Sequence, residues 1–136
     1  MDANSKRTLK ILLIEDDTFL SELLKYKLTS EGFEVTIATN QHESRHALGA
    51  QVVDLILLDI LLPDMNGFDF LEELKKNPAY LEIPVIIISN LGQGKDVERG
   101  LELGANEYIL KAQVSPSQIV ERVRAHIAKK QNAPLP

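Results

Sequence analysis

Five side chains able to do chemistry each stand at the end of a short apolar run. They offer three carboxylates, one hydroxyl and one ammonium, and they belong to Glu15, Asp16, Asp59, Ser89 and Lys111. If the apolar runs are parallel strands, their carboxyl ends share one edge of a sheet and the five groups meet there. Carboxylates that close repel one another unless a cation joins them, and oxygen ligands without histidine or cysteine favour Mg²⁺. A lysine and a hydroxyl opposite the metal would complete a clamp for a phosphoryl group.

Asp59 stands at the centre of this set. The apolar residues before it show no alternation, which predicts a strand covered by helices on both faces. The turn residues Pro63, Asn66 and Gly67 follow it, so Asp59 should end that strand. Taken alone, Asp59 is equally compatible with a solvated residue that opens a loop, because Asp is a common turn residue. Because other predicted strands also end in polar side chains, a functional role for Asp59 is favoured.

Strand and helix patterns alternate along the chain. Strand-like runs occupy residues 9–14, 34–38, 55–58, 83–88 and 108–110, and helical spacing follows each of them. Asn40 and Ser115 are predicted helix caps, while Gly32 and Gly104 are predicted helix stops. Five such pairs imply an α/β fold with a doubly wound, five-stranded parallel sheet and helices on both faces.

Length and composition indicate one domain. For the 136 residues we expect an N-terminal tail at 1–8, a domain at 9–130 and a C-terminal tail or linker at 131–136. No apolar run approaches the roughly 20 residues that cross a bilayer, and the sequence shows neither a signal segment nor a cysteine. We therefore expect a cytoplasmic protein without membrane contact. The formal charge of −5 disfavours direct nucleic acid binding by this domain.

The whole set of positions resembles the receiver domain of two-component response regulators over roughly residues 9–130. The resemblance rests on the pair Glu15-Asp16, the Asp-Leu-Ile-Leu-Leu-Asp strand that ends at Asp59, the Leu-Pro-x-x-x-Gly loop that ends at Gly67, Ser89, the Gly-Ala-Asn-Glu-Tyr segment that ends at Tyr108, and Lys111. It implies the flavodoxin-like strand order 2-1-3-4-5. It also implies a phosphorelay in which a histidine kinase or a phosphotransfer protein is the partner.

The resemblance assigns roles around the acceptor. Asp59 would accept the phosphoryl group, and Mg²⁺ would be held by Asp16, Asp59 and the backbone carbonyl of Leu61, with Glu15 acting through water. Ser89 and Lys111 would contact the phosphoryl oxygens. We expect no enzymatic activity beyond the domain's own phosphoryl transfer and dephosphorylation.

The resemblance also implies a switch and an output face. Tyr108 would be the aromatic residue that turns inward when Ser89 moves. The fourth helix, fifth strand and fifth helix would form the face that binds a second copy or an output partner. On this chain that face carries a mixed-charge set: Glu98, Arg99, Glu102, Asn106, Glu107 and Arg122.

The sequence departs from the family pattern at four positions. Lys111 is followed by Ala112 where the family has proline, so the loop after the fifth strand should differ. Asn90 replaces a small residue and could crowd the approach to Asp59. Leu61 and Leu91 place apolar side chains where the family tunes the attacking water, so we expect slow hydrolysis of the phosphorylated form.

Three other functions compete with this one. An aspartate-nucleophile phosphatase would carry a second acid two residues after Asp59, where Leu61 stands, and would need a cap domain. A flavodoxin-like redox protein would need a phosphate-binding loop after the first strand, and the acids there would repel phosphate. A receiver that no longer switches and serves as a docking module remains the second choice, supported by Asn90 and the missing proline.

The remaining polar candidates are predicted to be structural. Asp17 should be a helix N-terminal charge and Asp64 a turn residue. His42, His46 and His126 are predicted surface residues on helices, too few and too widely spaced for a zinc site without other ligands.

Overall fold

The computed structural model describes residues 7–131. Of the two predicted tails, residues 1–6 and 132–136 lie outside this range. Arg7, at its start, donates to both carboxylate oxygens of Asp54, at 2.8 and 2.5 Å. Asp54 is buried and also accepts a hydrogen bond from the backbone N–H of Lys10. The chain is therefore anchored to the amino end of the sheet from Arg7 onward.

A five-stranded parallel sheet forms the centre of the protein. Its strands are β1 (Lys10–Ile14), β2 (Glu34–Ala38), β3 (Leu55–Leu58), β6 (Val85–Ser89) and β7 (Glu107–Leu110). Their order is β2-β1-β3-β6-β7, which is the predicted 2-1-3-4-5 once two very short strands are set aside. All neighbouring pairs in this sheet are parallel. The predicted fold class is confirmed.

The two short strands lie in the loop after β3. They are β4 (Leu61–Leu62) and β5 (Met65–Asn66), which pair antiparallel. Asn66 then caps the following helix, since its Oδ1 accepts from the backbone N–H of Phe68 at 2.8 Å. This hairpin was not predicted because two-residue strands carry no periodicity. It fixes the loop that begins at Asp59.

Five helices cover the two faces of the sheet: α1 (Thr18–Ser30), α2 (Gln41–Ala50), α3 (Gly67–Lys76), α4 (Gly94–Glu102) and α5 (Pro116–Gln131). Residues from α2 and α3 form one buried cluster with Leu12 and Ile14, and residues from α1 and α5 form a second with Ile11 and Leu13. Alternate residues of β1 thus enter opposite clusters. This explains why the central strands read as unbroken apolar runs.

The predicted caps and stops define the helix ends. Asn40 accepts a hydrogen bond from the backbone N–H of Glu43 at 2.8 Å. The Ser115 hydroxyl accepts from the N–H of Gln118, whose side chain accepts from the N–H of Ser115 in return. Gly32 and Gly104 adopt positive φ angles of 97° and 113° just beyond their helices. These local predictions are confirmed.

Candidate functional site

The carboxyl edge of the sheet brings the ends of β1, β3 and β7 together. The Lys111 Nζ atom lies 2.7 Å from Glu15 Oε1 and 2.9 Å from Asp59 Oδ2. Glu15 follows β1 and Asp59 follows the adjacent strand β3. Lys111 follows β7, the strand at one edge of the sheet. One ammonium thus bridges two carboxylates that are 44 positions apart in the sequence.

Main-chain hydrogen bonds hold both carboxylates in place. Asp59 Oδ1 accepts from the backbone N–H of Leu61 at 3.0 Å, and Glu15 Oε2 accepts from that of Asp17 at 3.0 Å. Glu15 is fully buried, and Asp59 is 3% exposed. Each carboxylate therefore uses one oxygen for the main chain and turns the other toward Lys111.

The charges in this site influence one another strongly. Burial raises the pKa of Glu15, and the nearby charge of Asp59 raises it further, while the bonds from Lys111 and from the Asp17 backbone oppose the rise. Burial also disfavours the charged form of Lys111, but its contacts with Glu15 and Asp59 outweigh that effect, so the pKa of Lys111 lies above its ordinary value. Lys111 is accordingly a fixed positive charge beside Asp59.

The acidic group has the composition of a site for a hard cation. Glu15, Asp16 and Asp59 each offer a carboxylate oxygen, and these three atoms lie within 4.8 Å of one another. Asp16 is exposed, so the group opens to solvent. Three carboxylates against one ammonium leave an excess of negative charge, and an all-oxygen set that keeps water access fits Mg²⁺. The predicted ligand role of the Leu61 carbonyl stays a prediction.

Ser89 and Tyr108 both bind the main chain of Leu91. The fully buried Ser89 hydroxyl accepts from the N–H of Leu91 at 3.1 Å, and the Tyr108 hydroxyl donates to the carbonyl of Leu91 at 2.5 Å. Burial raises the pKa of Tyr108, and the charges of Asp96 and Asp59 raise it further. A hydrogen bond with Ser89 lowers the pKa of Tyr108 but does not cancel the rise. The phenol therefore keeps the proton that it donates to Leu91.

Two glycines make the close approaches that this site requires. A Cβ on Gly67 would lie 2.5 Å from the Ile60 Cα and 2.9 Å from the Asp59 carbonyl oxygen, so α3 begins directly against the Asp59 loop. A Cβ on Gly100 in α4 would lie 2.8 Å from the ring of Tyr108 and 2.7 Å from Ile87. Only Gly67 was singled out from the sequence; an isolated glycine inside a helix pattern was the available signal for Gly100.

One expectation about the surface is corrected, that for His126. His126 is not a surface residue: its side chain is 17% exposed, and its Nε2 lies 2.8 Å from Glu107 Oε1. Glu107, predicted on the mixed-charge face, is 15% exposed and also pairs with Arg122. Arg122 and His126 both belong to α5, so these contacts join α5 to β7, and no local pattern in the sequence indicates them.

The other polar candidates agree with their predictions. Asp17 caps α1 by accepting from the N–H of Leu20 at 3.0 Å. Asp64 lies in the turn between β4 and β5 and accepts from the N–H of Gln41 at 3.2 Å. His42 and His46 are exposed. After β7, residues Lys111–Gln113 form a 3₁₀ turn, and Asn90 is exposed. The expected difference of this loop from the family pattern stays a prediction.

Comparison with known proteins gives one family. Residues 11–124 match the response regulator receiver domain family. The transcriptional regulatory protein CpxR of Klebsiella pneumoniae is 42% identical over 118 residues, which cover 85% of this chain and 48% of CpxR. The chain spans about half the length of the curated relatives it matches.

Solved structures give the same answer. The CheY-like response regulator receiver domain protein of Methanospirillum hungatei has a TM-score of 0.82 at 29% identity, covering 93% of this chain and 99% of its own. The phosphorylated cyanobacterial phytochrome response regulator RcpA has a TM-score of 0.78 at 28% identity, covering 94% and 97%.

Proposed function

The chain belongs to the response regulator receiver domain family, and we propose that its Asp59 accepts a phosphoryl group from a histidine kinase or a phosphotransfer protein. The observation that carries this proposal is the position of Lys111, whose ammonium lies 2.9 Å from Asp59 and 2.7 Å from Glu15. A fixed positive charge thereby stands beside the acceptor oxygen. The similar structure of RcpA, which is phosphorylated, supports the same chemistry.

In the proposed reaction, a carboxylate oxygen of Asp59 attacks phosphorus. The bond between phosphorus and the donor atom breaks, its electron pair leaves with the donor, and the product is an acyl phosphate on Asp59. Such transfers ask the protein mainly for positioning and charge neutralisation. The N–H of Leu61 holds the carboxylate through Oδ1 at 3.0 Å, and Lys111 would move from the Asp59 oxygen to the phosphoryl oxygens.

Mg²⁺ would be held by Glu15, Asp16 and Asp59, with the backbone carbonyl of Leu61 as a further ligand and Glu15 acting through water. When bound, the ion supplies positive charge to the phosphoryl oxygens. The backbone N–H of Asp17 donates to Glu15 Oε2, so the Glu15 carboxylate is already held in position without a bound cation.

Phosphorylation would be read through Ser89. The hydroxyl of Ser89 would turn toward the phosphoryl oxygens and release the N–H of Leu91, from which it now accepts a hydrogen bond. Tyr108 donates to the carbonyl of Leu91, so a shift of that residue reaches β7 and the face formed by α4, β7 and α5. That face would bind a second copy or an output partner.

The other expected properties follow from this role. No helix in the described part of the chain is both long and apolar enough to cross a membrane. We expect a cytoplasmic domain that binds no nucleic acid directly. The domain would catalyse only the transfer of the phosphoryl group to its own Asp59 and the later loss of that group.

Fluorine NMR with beryllofluoride tests the proposal, because this ion mimics a phosphoryl group on a carboxylate. A bound fluorine signal should require both Mg²⁺ and Asp59. Asp59→Asn should lose it, and the matched control Asp64→Asn, which changes an exposed acid in the same loop, should keep it. A bound signal that survives in Asp59→Asn would overturn the assignment of the acceptor.

A further inference from the structure

Helix α2 carries a pair of histidines that the proposed function does not use. Residues His42, Glu43, Ser44, Arg45 and His46 follow the order His-Glu-x-x-His within the first turns of the helix. This spacing places the two imidazoles on one helix face, with Cβ atoms about 5–6 Å apart. The expectation that all three histidines are widely spaced is therefore wrong for His42 and His46, which are neighbours on α2. It holds for His126.

Both histidines line one groove between α2 and the edge strand β2. The groove has a volume of about 470 Å³, and its other lining residues include Ile37, Ala47 and Ala50. His42 and His46 are exposed, so solvent and ions reach both imidazoles. At one end the Gln51 Nε2 donates to the Thr36 hydroxyl at 2.9 Å, which ties the helix end to the strand. An ion in the groove can therefore reach both imidazole rings.

The glutamate of the motif is already engaged. Glu43 Oε1 accepts from the N–H of Thr39 at 2.7 Å and from its hydroxyl at 2.9 Å. These bonds lower the pKa of Glu43 and make it part of the cap of α2. It is thus unavailable as the general base that a metallohydrolase with this motif needs. The arrangement supports binding of a metal and not hydrolysis.

We propose that His42 and His46 form a two-histidine site for a late divalent transition-metal ion, with solvent in the remaining positions. Imidazole ligands suit copper, nickel and zinc, and the affinity order for divalent ions places Cu²⁺ above Ni²⁺ and Zn²⁺. Among residues 7–131, the acidic group at Asp59 is the one set of three carboxylate, histidine or cysteine ligands within reach of a single ion. The histidine pair is therefore a separate site of different ligand chemistry.

Paramagnetic NMR with Cu²⁺ tests this site on the intact protein. Substoichiometric Cu²⁺ should broaden the amide signals of residues 41–50, and this broadening should persist in Asp16→Ala and in excess Mg²⁺. Because two linked ligands bind far more tightly than either alone, His42→Gln and His46→Gln should each weaken Cu²⁺ binding by about a hundredfold. Both side chains are exposed, so neither change should disturb the fold.

His126→Gln is the matched control, since it removes a histidine that is bonded to Glu107 and should leave Cu²⁺ binding unchanged. Broadening confined to residues near Asp16 and Asp59 would overturn the proposal. So would Cu²⁺ affinities that are equal in the parent, His42→Gln and His46→Gln. Neither result would affect the proposal for Asp59, which is tested with Mg²⁺ and beryllofluoride.

Discussion

The hydroxyl groups of Ser89 and Tyr108 bind the same residue, Leu91, one at its N–H and the other at its carbonyl oxygen. Ser89 ends β6 at the acidic edge, whereas Tyr108 lies on the outer strand β7. A single residue of main chain therefore joins the proposed phosphoryl site to the proposed output face. We expect a movement of Ser89 to alter the bond between Leu91 and Tyr108.

Beryllofluoride should reveal this connection in the amide spectrum. With Mg²⁺ present, we expect signals of residues 89–111 to shift and those of residues 41–50 to stay largely still, because the proposed switch runs through Leu91. Tyr108→Phe removes the hydroxyl and should shrink the shifts at residues 107–110. Uniform small shifts, or shifts confined to the acidic residues, would contradict the proposed output face.

Gly100→Ala should destabilise the protein, unlike the same change at a typical helical glycine. The added Cβ would lie 2.7 Å from Ile87 and 2.8 Å from the ring of Tyr108, and overpacking costs about 1–3 kcal/mol against a helix-propensity gain of about 1 kcal/mol. Gly49→Ala is the control, because nothing lies within 4 Å of its Cβ position and it should gain about 0.5–1 kcal/mol. Urea unfolding measures both. Equal stabilisation by the two changes would show that Tyr108 does not pack against Gly100.

Mg²⁺ should stabilise the fold through the acidic group. If the dissociation constant is about 1 mM, then about 10 mM Mg²⁺ adds roughly 1.4 kcal/mol to the free energy of unfolding. Asp16→Ala should abolish this gain. Asp17→Ala should lower the starting stability by about 1 kcal/mol, because it removes the α1 cap, yet keep the gain. A melting temperature of the parent that does not respond to Mg²⁺ at constant ionic strength would count against the site.

Glu107 should make stability depend on pH in the acid range. Burial favours its neutral form, but bonds to Arg122 and His126 outweigh burial and lower the pKa of Glu107 below the ordinary carboxyl value of 4.5. A carboxyl group whose pKa is lower in the folded than in the unfolded state stabilises the fold at pH values above its unfolded pKa. That stabilisation is lost as the pH falls through the folded pKa.

The comparison of the parent with Glu107→Gln measures this effect. The difference in the free energy of unfolding should be about 1–2 kcal/mol at neutral pH and should shrink below about pH 4.5. The exposed Glu121 on α5 supplies the control, since Glu121→Gln should change little at any pH. A difference that grows on acidification would show that the Glu107 contacts are not stabilising in the ionised form.

The fold was predictable because its signals are local. Unbroken apolar runs such as Leu55–Leu58 mark strands buried on both faces, and caps such as Asn40 mark helix starts. Parallel topology then places Asp59 and Lys111 at one edge without any further information. The approach of Lys111 to both carboxylates follows from the same topology.

Contacts that depend on how elements cross were not predictable. His126 and Arg122 both reach Glu107 because α5 lies against β7, and Tyr108 reaches Leu91 because Gly100 gives its ring room. These pairs join residues whose sequence neighbours look like ordinary surface positions. Side-chain partners across packed elements leave no periodic trace in the sequence.

Intact-mass analysis after treatment with a small acyl phosphate and Mg²⁺ tests the central claim most directly. The parent protein should gain the mass of one phosphoryl group, and Asp59→Asn should gain none, whereas Asp64→Asn should label like the parent. Labelling that persists in Asp59→Asn would contradict the assignment of Asp59 as the acceptor. If the parent protein binds Mg²⁺ but gains no phosphoryl group, the proposed phosphorylation switch is contradicted. The alternative of a docking module that does not switch would then replace it.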